Sequence, residues 1–267
     1  MSEATRELFL GAVRTLRRST LWWSVALSGY VVLNLAFWPS FENSDMLKSF
    51  DDMGAIMEAF GAKDLASPAG YLDGQVFALM LPILMSAMMI AATTAITSGD
   101  EDAGRLELLH ALPVSRSALW LTRFAGALVM LAVTTAMTLL MLVISIRVFS
   151  LDGVGVVDVA GPLLGSAALA MFHGAVGFAA GAAGLARPRS ITTAVAVLVA
   201  GYLVALVLPI AKTFESARNW SPWHWALGQA PAVDGVSLVG IGGLVAAATA
   251  IVWVGSLAIE HRDIRTA

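Results

Sequence analysis

The chain has 267 residues, 58% of them hydrophobic and 13% charged, with a mean hydropathy of +0.79 and a formal net charge of -3. Ordinary soluble domains are about 45–50% apolar and about 25% charged, so a water-soluble fold is excluded, and a disordered or nucleic-acid-binding chain would need far more charge. Cysteine is absent, which removes disulfides, thiolate metal sites and Cys nucleophiles. An integral membrane protein remains.

A helix needs about 20 residues to cross a hydrocarbon core roughly 30 Å thick. Residues 1–18 precede the first such stretch. Leu8, Phe9, Ala12, Val13 and Leu16 share one helical face, and Arg6, Arg14, Arg17 and Arg18 lie largely away from it. This pattern predicts an amphipathic interfacial helix; the competing reading is a solvated helix packed on another subunit. Runs free of Asp, Glu, Lys and Arg then occupy 19–41, 74–99, 124–146, 159–186, 190–211 and 235–259. Six spans are predicted, and the first is too long for the apolar core of a signal peptide. With the N-terminus inside, 11 Lys and Arg fall on the cytoplasmic side and 5 on the other. That bias places both termini in the cytoplasm. The loop after the first span carries seven acids, Asp73 among them, which are comfortable outside.

Within the second run, Pro82 removes a helical hydrogen bond and predicts a kink. Met80, Met85, Met88 and Met89 could line a substrate path or simply pack. The fourth run pairs Gly161 with Gly165 and Gly177 with Gly181, a small-residue pattern that predicts a central helix or a seam between subunits. His173 lies deep in the same run. It reads either as a neutral imidazole hydrogen-bonded across helices or as a functional intramembrane group. Trp22, Trp23, Trp38, Trp220, Trp223 and Trp225 sit near span ends, where aromatic belts form; substrate stacking is the other reading.

No nucleotide site of the P-loop type is present. The chain has only three lysines, Lys48, Lys63 and Lys212, and none follows a glycine. The four histidines show no metal-ligand spacing, and no nucleophile–base motif suggests an enzyme. No catalytic residue, metal or cofactor is therefore assigned to this chain.

The stretch 99–123 reads GDEDAGRLELLHALPVSRSALWLTR. Asp100, Glu101 and Asp102 suit a helix N-terminus. Leu106, Leu108, Leu109 and Leu112 add apolar surface, Pro113 stops the helix, and Ser115 can cap the next one. A short helix over 104–112 with exposed leucines rimmed by charge marks a partner surface; the alternative is a helix lying on lipid headgroups.

Residues 101–116, EDAGRLELLHALPVSR, closely resemble the loop after the second span of ABC-2 type transporter permeases. Arg105 stands where Thr is common there, and His110 interrupts the usual leucine run. SPAGYL at 67–72, SPWHW at 221–225 and HRDI at 261–264 resemble family segments too. The resemblance implies an all-α membrane protein, a single permease domain over 1–267, whose short cytoplasmic coupling helix seats in a separate ATP-binding subunit. Leu106, Leu108, Leu109 and Leu112, with Gly104 in the same helix, would supply burial there, and Glu101, Arg105, Glu107 and Arg116 polar rim contacts. ATP and Mg would be bound by that partner, present in two copies beside a second permease half, identical or related. The implied function is a cell-membrane exporter of a hydrophobic or amphipathic substrate. The competing class is an ATP-independent secondary transporter or channel, and a membrane anchor for a regulatory ATPase would share the loop.

Overall fold

The computed structural model describes residues 3–42, 67–106 and 114–261. Among these, every regular element is helical, and six helical stretches are long and apolar enough to cross a membrane: Glu3–Glu42, Pro68–Asp102, Arg116–Val148, Val156–Ala182, Arg187–Ile210 and Leu238–Ala258. Each contains or closely overlaps one of the charge-free runs. An even number of crossings puts both ends of the described chain at one face of the bundle, here termed the N-terminal face.

Helix α1 (Glu3–Ala36) buries Ala12, Leu16, Leu27, Val31 and Leu35, positions mostly four apart along one stripe. The amphipathic N-terminal segment and the first span form this one helix, unbroken. At 34 residues it extends about 51 Å, well beyond a hydrocarbon core of roughly 30 Å. It is followed by α2 (Trp38–Glu42), whose Trp38 is buried with its ring 5.1 Å from that of Tyr71. Trp223 is buried as well. These two tryptophans pack inside the protein, whereas Trp22 and Trp220 are exposed as a membrane belt requires.

The second span is broken into pieces. Ser67 accepts a hydrogen bond from the Gly70 N–H at 3.1 Å and caps α3 (Pro68–Leu72). A π-helical turn (Asp73–Phe77) leads to α4 (Met80–Ala95), and a final turn forms α5 (Ser98–Asp102). The first break falls at Leu79 (φ -144°, ψ -61°), upstream of Pro82. Pro82 has no N–H to offer the carbonyl of Ala78, so the helix restarts with the proline in its first turn. The second break, at Thr97 (φ -117°, ψ -97°), has no proline to announce it. Met85, Met88 and Met89 are fully buried in α4, and Met80 is exposed.

Helix α6 (Arg116–Val148) begins at Ser115, whose hydroxyl accepts from the Ala118 N–H at 3.2 Å, the cap expected from the sequence. It packs against α1. Helix α7 (Val156–Ala182) is the centre of the bundle: it touches α4, α6, α8 (Arg187–Tyr202), α9 (Pro222–Leu227) and α10 (Leu238–Ala258). The small-residue pattern on this span thus serves packing inside one chain. His173 on α7 is buried and its Nδ1 lies 3.0 Å from Ser86 Oγ on α4, a hydrogen bond across helices.

At the face opposite the N-terminus, α9 is wedged into the bundle. Ser221 donates to the Gly201 carbonyl at 2.6 Å, and the Trp223 indole N–H reaches the Leu198 carbonyl at 3.3 Å. A Cβ built on Gly165 would stand 2.2 Å from the Ala226 carbonyl oxygen, and one on Gly240 2.3 Å from that of Trp225. Only glycine permits either contact. Asp73, which the sequence groups with the solvated acids of the outer loop, is buried here. Its carboxylate accepts the Ala232 N–H at 2.7 Å and the Val233 N–H at 3.2 Å, satisfying backbone donors that burial would otherwise strand.

Candidate functional site: a charged joint at the foot of the second span

The informative loop leaves the bundle from α5. Of the residues singled out in the sequence, Glu107, Leu108, Leu109 and Leu112, together with His110 and Pro113, lie outside the described residues. Glu101, Gly104, Arg105, Leu106 and Arg116 are described. Gly104 makes a turn at φ +68°, the left-handed region that favours glycine, and Arg105 and Leu106 open a new helical turn after it. Leu106 is only 1% exposed and belongs to a core cluster with Trp120, Phe124, Phe178 and Ile259. Glu101 is buried as well. Both therefore face this chain's own interior, and of the expected contacts described, Arg105, with 63% of its side chain exposed, reaches outward. Arg116 directs Nη1 toward the Ile259 carbonyl at 3.5 Å, linking the start of α6 to the end of α10.

The loop's root is fixed by charges that the sequence reading did not pair. The carboxylate of Asp100 is buried and shared by two guanidinium groups. Arg105 Nε and Nη2 donate to Oδ1 at 2.8 and 2.5 Å, and Arg123 Nη2 on α6 donates to Oδ2. Arg123 Nε also donates to the Ile96 carbonyl at 2.7 Å, an acceptor left open because α4 ends at the Thr97 break. A buried charge is tolerable only when paired and hydrogen-bonded; Arg123 is both. On the other side of α5, Asp102 accepts the Arg187 N–H at 2.9 Å at the start of α8, and Ser98 lies 3.0 Å from Ser190 of the same helix. Gly181 of α7 makes room for this turn, since a Cβ there would stand 2.7 Å from Thr97 Oγ1.

The five residues of α5 are thus bonded to α6 and α8 and seated against α7. A displacement of the loop's first end is therefore passed to α6, α7 and α8 through this joint. Arg123 escaped the sequence reading because it stands just before a charge-free run and looked like the edge of a loop. Its burial follows from the break at Thr97, which had no local signature.

The comparisons with known proteins agree with this membrane architecture. A family model described as "Multidrug efflux system permease Rv1217c, C-terminal domain" matches residues 10–259. No curated protein and no solved structure matches the chain. The matched segment takes in most of the first apolar helical stretch, the other five whole, and the joint between the second and third. By that match, the protein belongs to this family of efflux permeases and is a multi-pass membrane transporter component.

Proposed function

We propose that the chain is the membrane-spanning half of an ATP-driven efflux transporter of the ABC-2 type. A separate ATP-binding subunit docks on the 101–116 loop, and two such subunits serve two permease halves, identical or related. The observation that carries this reading is the joint itself: a loop with exposed leucines expected beyond it is rooted on a turn bonded to two further spans. A loop that merely lay on headgroups would have no use for such a root. The family match supports the efflux part of the reading. The resemblance of 101–116 to ABC-2 permease loops, and the absence of a P-loop in the chain, support the need for a partner.

On this reading the chain catalyses nothing and ATP and Mg stay on the partner. Docking falls to Arg105 and to the leucines at 108, 109 and 112, because Leu106 is committed inward. The exported substrate is hydrophobic or amphipathic, in keeping with spans of high hydropathy. The deciding experiment is co-purification of the tagged full chain from its own membranes beside a Leu108→Asp, Leu109→Asp variant. The expected result is a P-loop ATPase that comes with the parent and is lost from the variant. Recovery of no ATPase, with both chains transporting alike, overturns the reading in favour of an ATP-independent transporter.

A further inference from the structure

A groove of about 590 Å³ opens at the N-terminal face, between the first turns of α1 and the joint. One wall carries Glu7, Leu8 and Gly11; the other carries Ile96, Arg105 and Arg123. Its volume is that of a small-molecule site, and its lining is mainly apolar with a few charged groups, the make-up of a pocket built for an amphipathic ligand.

The charges are distributed unevenly. Arg105 and Arg123 share the carboxylate of Asp100, which also lines the groove, so the described residues of that wall carry a net charge of about +1. A guanidinium has five N–H donors, and the Nη1 group of each arginine makes no hydrogen bond among the described residues. Across the groove, Glu7 is exposed and forms no ion pair among the described residues. The groove therefore presents a cationic edge, an anionic edge and an apolar floor.

Its level in the membrane follows from the surrounding residues. Arg14, Arg17 and Arg18 of α1, Arg116 at the start of α6, and Arg187 and Arg189 at the start of α8 all stand at this face of the bundle. Such a ring of arginines at the ends of apolar spans marks the headgroup layer.

We propose that the groove binds a membrane glycerophospholipid with an ammonium headgroup, of the phosphatidylethanolamine type. The phosphate sits on the free guanidinium edges of Arg105 and Arg123, the primary ammonium donates to Glu7, and the glycerol and first acyl carbons cover Leu8, Gly11 and Ile96. A lipid with phosphate alone leaves Glu7 facing negative charge. A choline headgroup balances the charge but has no N–H to donate. The site is formed by the membrane and this chain alone, so its lipid preference is measured without an ATP-binding partner; Arg105 is the residue it shares with the proposed docking surface.

Gly11 supplies the test, because it lines the groove and a Cβ built on it meets nothing within 4 Å. The purified, delipidated full chain is titrated with dioleoyl phosphatidylethanolamine, phosphatidylglycerol and phosphatidylcholine, and bound lipid is counted by native mass spectrometry. Phosphatidylethanolamine is expected to bind about fivefold tighter than either of the others, the scale of one partly exposed ion pair. Gly11→Leu abolishes that preference, while Gly29→Leu, on the same helix where a Cβ also meets nothing, retains it. Glu7→Gln leaves binding but removes the distinction between ethanolamine and glycerol headgroups. Equal binding of all three lipids, or a preference that survives Gly11→Leu in a chain that unfolds like the parent, overturns the proposal. So does tetraphenylphosphonium bound by the parent and lost from Gly11→Leu when no lipid is retained, since the groove is then a substrate pocket.

Discussion

At the scale of single residues, Asp100 and Arg123 form a buried charge pair. Removing one partner of a buried, hydrogen-bonded charge pair costs about 3–5 kcal/mol, because the other charge is left buried without compensation. Asp100→Asn or Arg123→Gln is therefore expected to lower the thermal unfolding midpoint of the solubilised chain sharply. The double variant Asp100→Leu, Arg123→Met recovers much of that loss, since apolar replacement of a buried pair is often close to neutral. Unfolding midpoints of the three variants check this, and a double variant no better than either single one refutes it. Efflux separates stability from transmission: the double variant is expected to fold and to transport poorly, because its α5 no longer pulls on α6. The sequence announced the charges but not their partner. Aspartates before a leucine-rich stretch read as helix-terminus acids, and only the fold brings Arg123 onto one of them.

At the scale of elements, the six crossings were legible because a run of apolar residues of sufficient length has no soluble alternative. Ser115 and Ser67 were legible as boundary residues for the same kind of reason: a hydroxyl before a helix has one obvious task. The break at Leu79 was announced by Pro82 three residues on, whereas the break at Thr97 was not, having no proline or other local signature. Glycines show the same divide. The spacing of Gly161 and Gly165 promised close packing without naming the neighbour, and that neighbour at Gly165 is the backbone of α9. Gly165→Ala is expected to destabilise the chain by about 3 kcal/mol, at the upper end for overpacking, because the atom in the way is backbone and cannot rotate aside. Gly29→Ala, with nothing within 4 Å of its Cβ, is expected to stabilise by up to about 1 kcal/mol through helix propensity. Thermal unfolding of the two variants side by side tests both signs at once.

At the scale of the whole molecule, the absence of cysteine makes orientation directly measurable. A single thiol at Glu3 and one at Asp152, both exposed and on opposite faces, suffice. The excess of Lys and Arg favours a cytoplasmic N-terminus, for which the expected outcome is that an impermeant maleimide labels Asp152→Cys in intact cells. Glu3→Cys reacts only after the membrane is opened. The reverse pattern inverts the topology and moves the joint to the cell exterior, where no ATPase could reach it. The candidate site was half legible at this scale. Its location in the loop after the second span followed from residues 101–116, but its root did not, because that root is made from three spans distant in sequence.

The wedge of α9 has a further consequence for how the far face behaves. At Gly165 and Gly240 the nearest atoms are the backbone carbonyls of Ala226 and Trp225, which have no rotamer to flip. Close-packed surfaces of this kind switch between discrete arrangements and do not deform smoothly. Any opening of that face is accordingly expected to need α9 to withdraw as a unit, not a rearrangement of side chains alone.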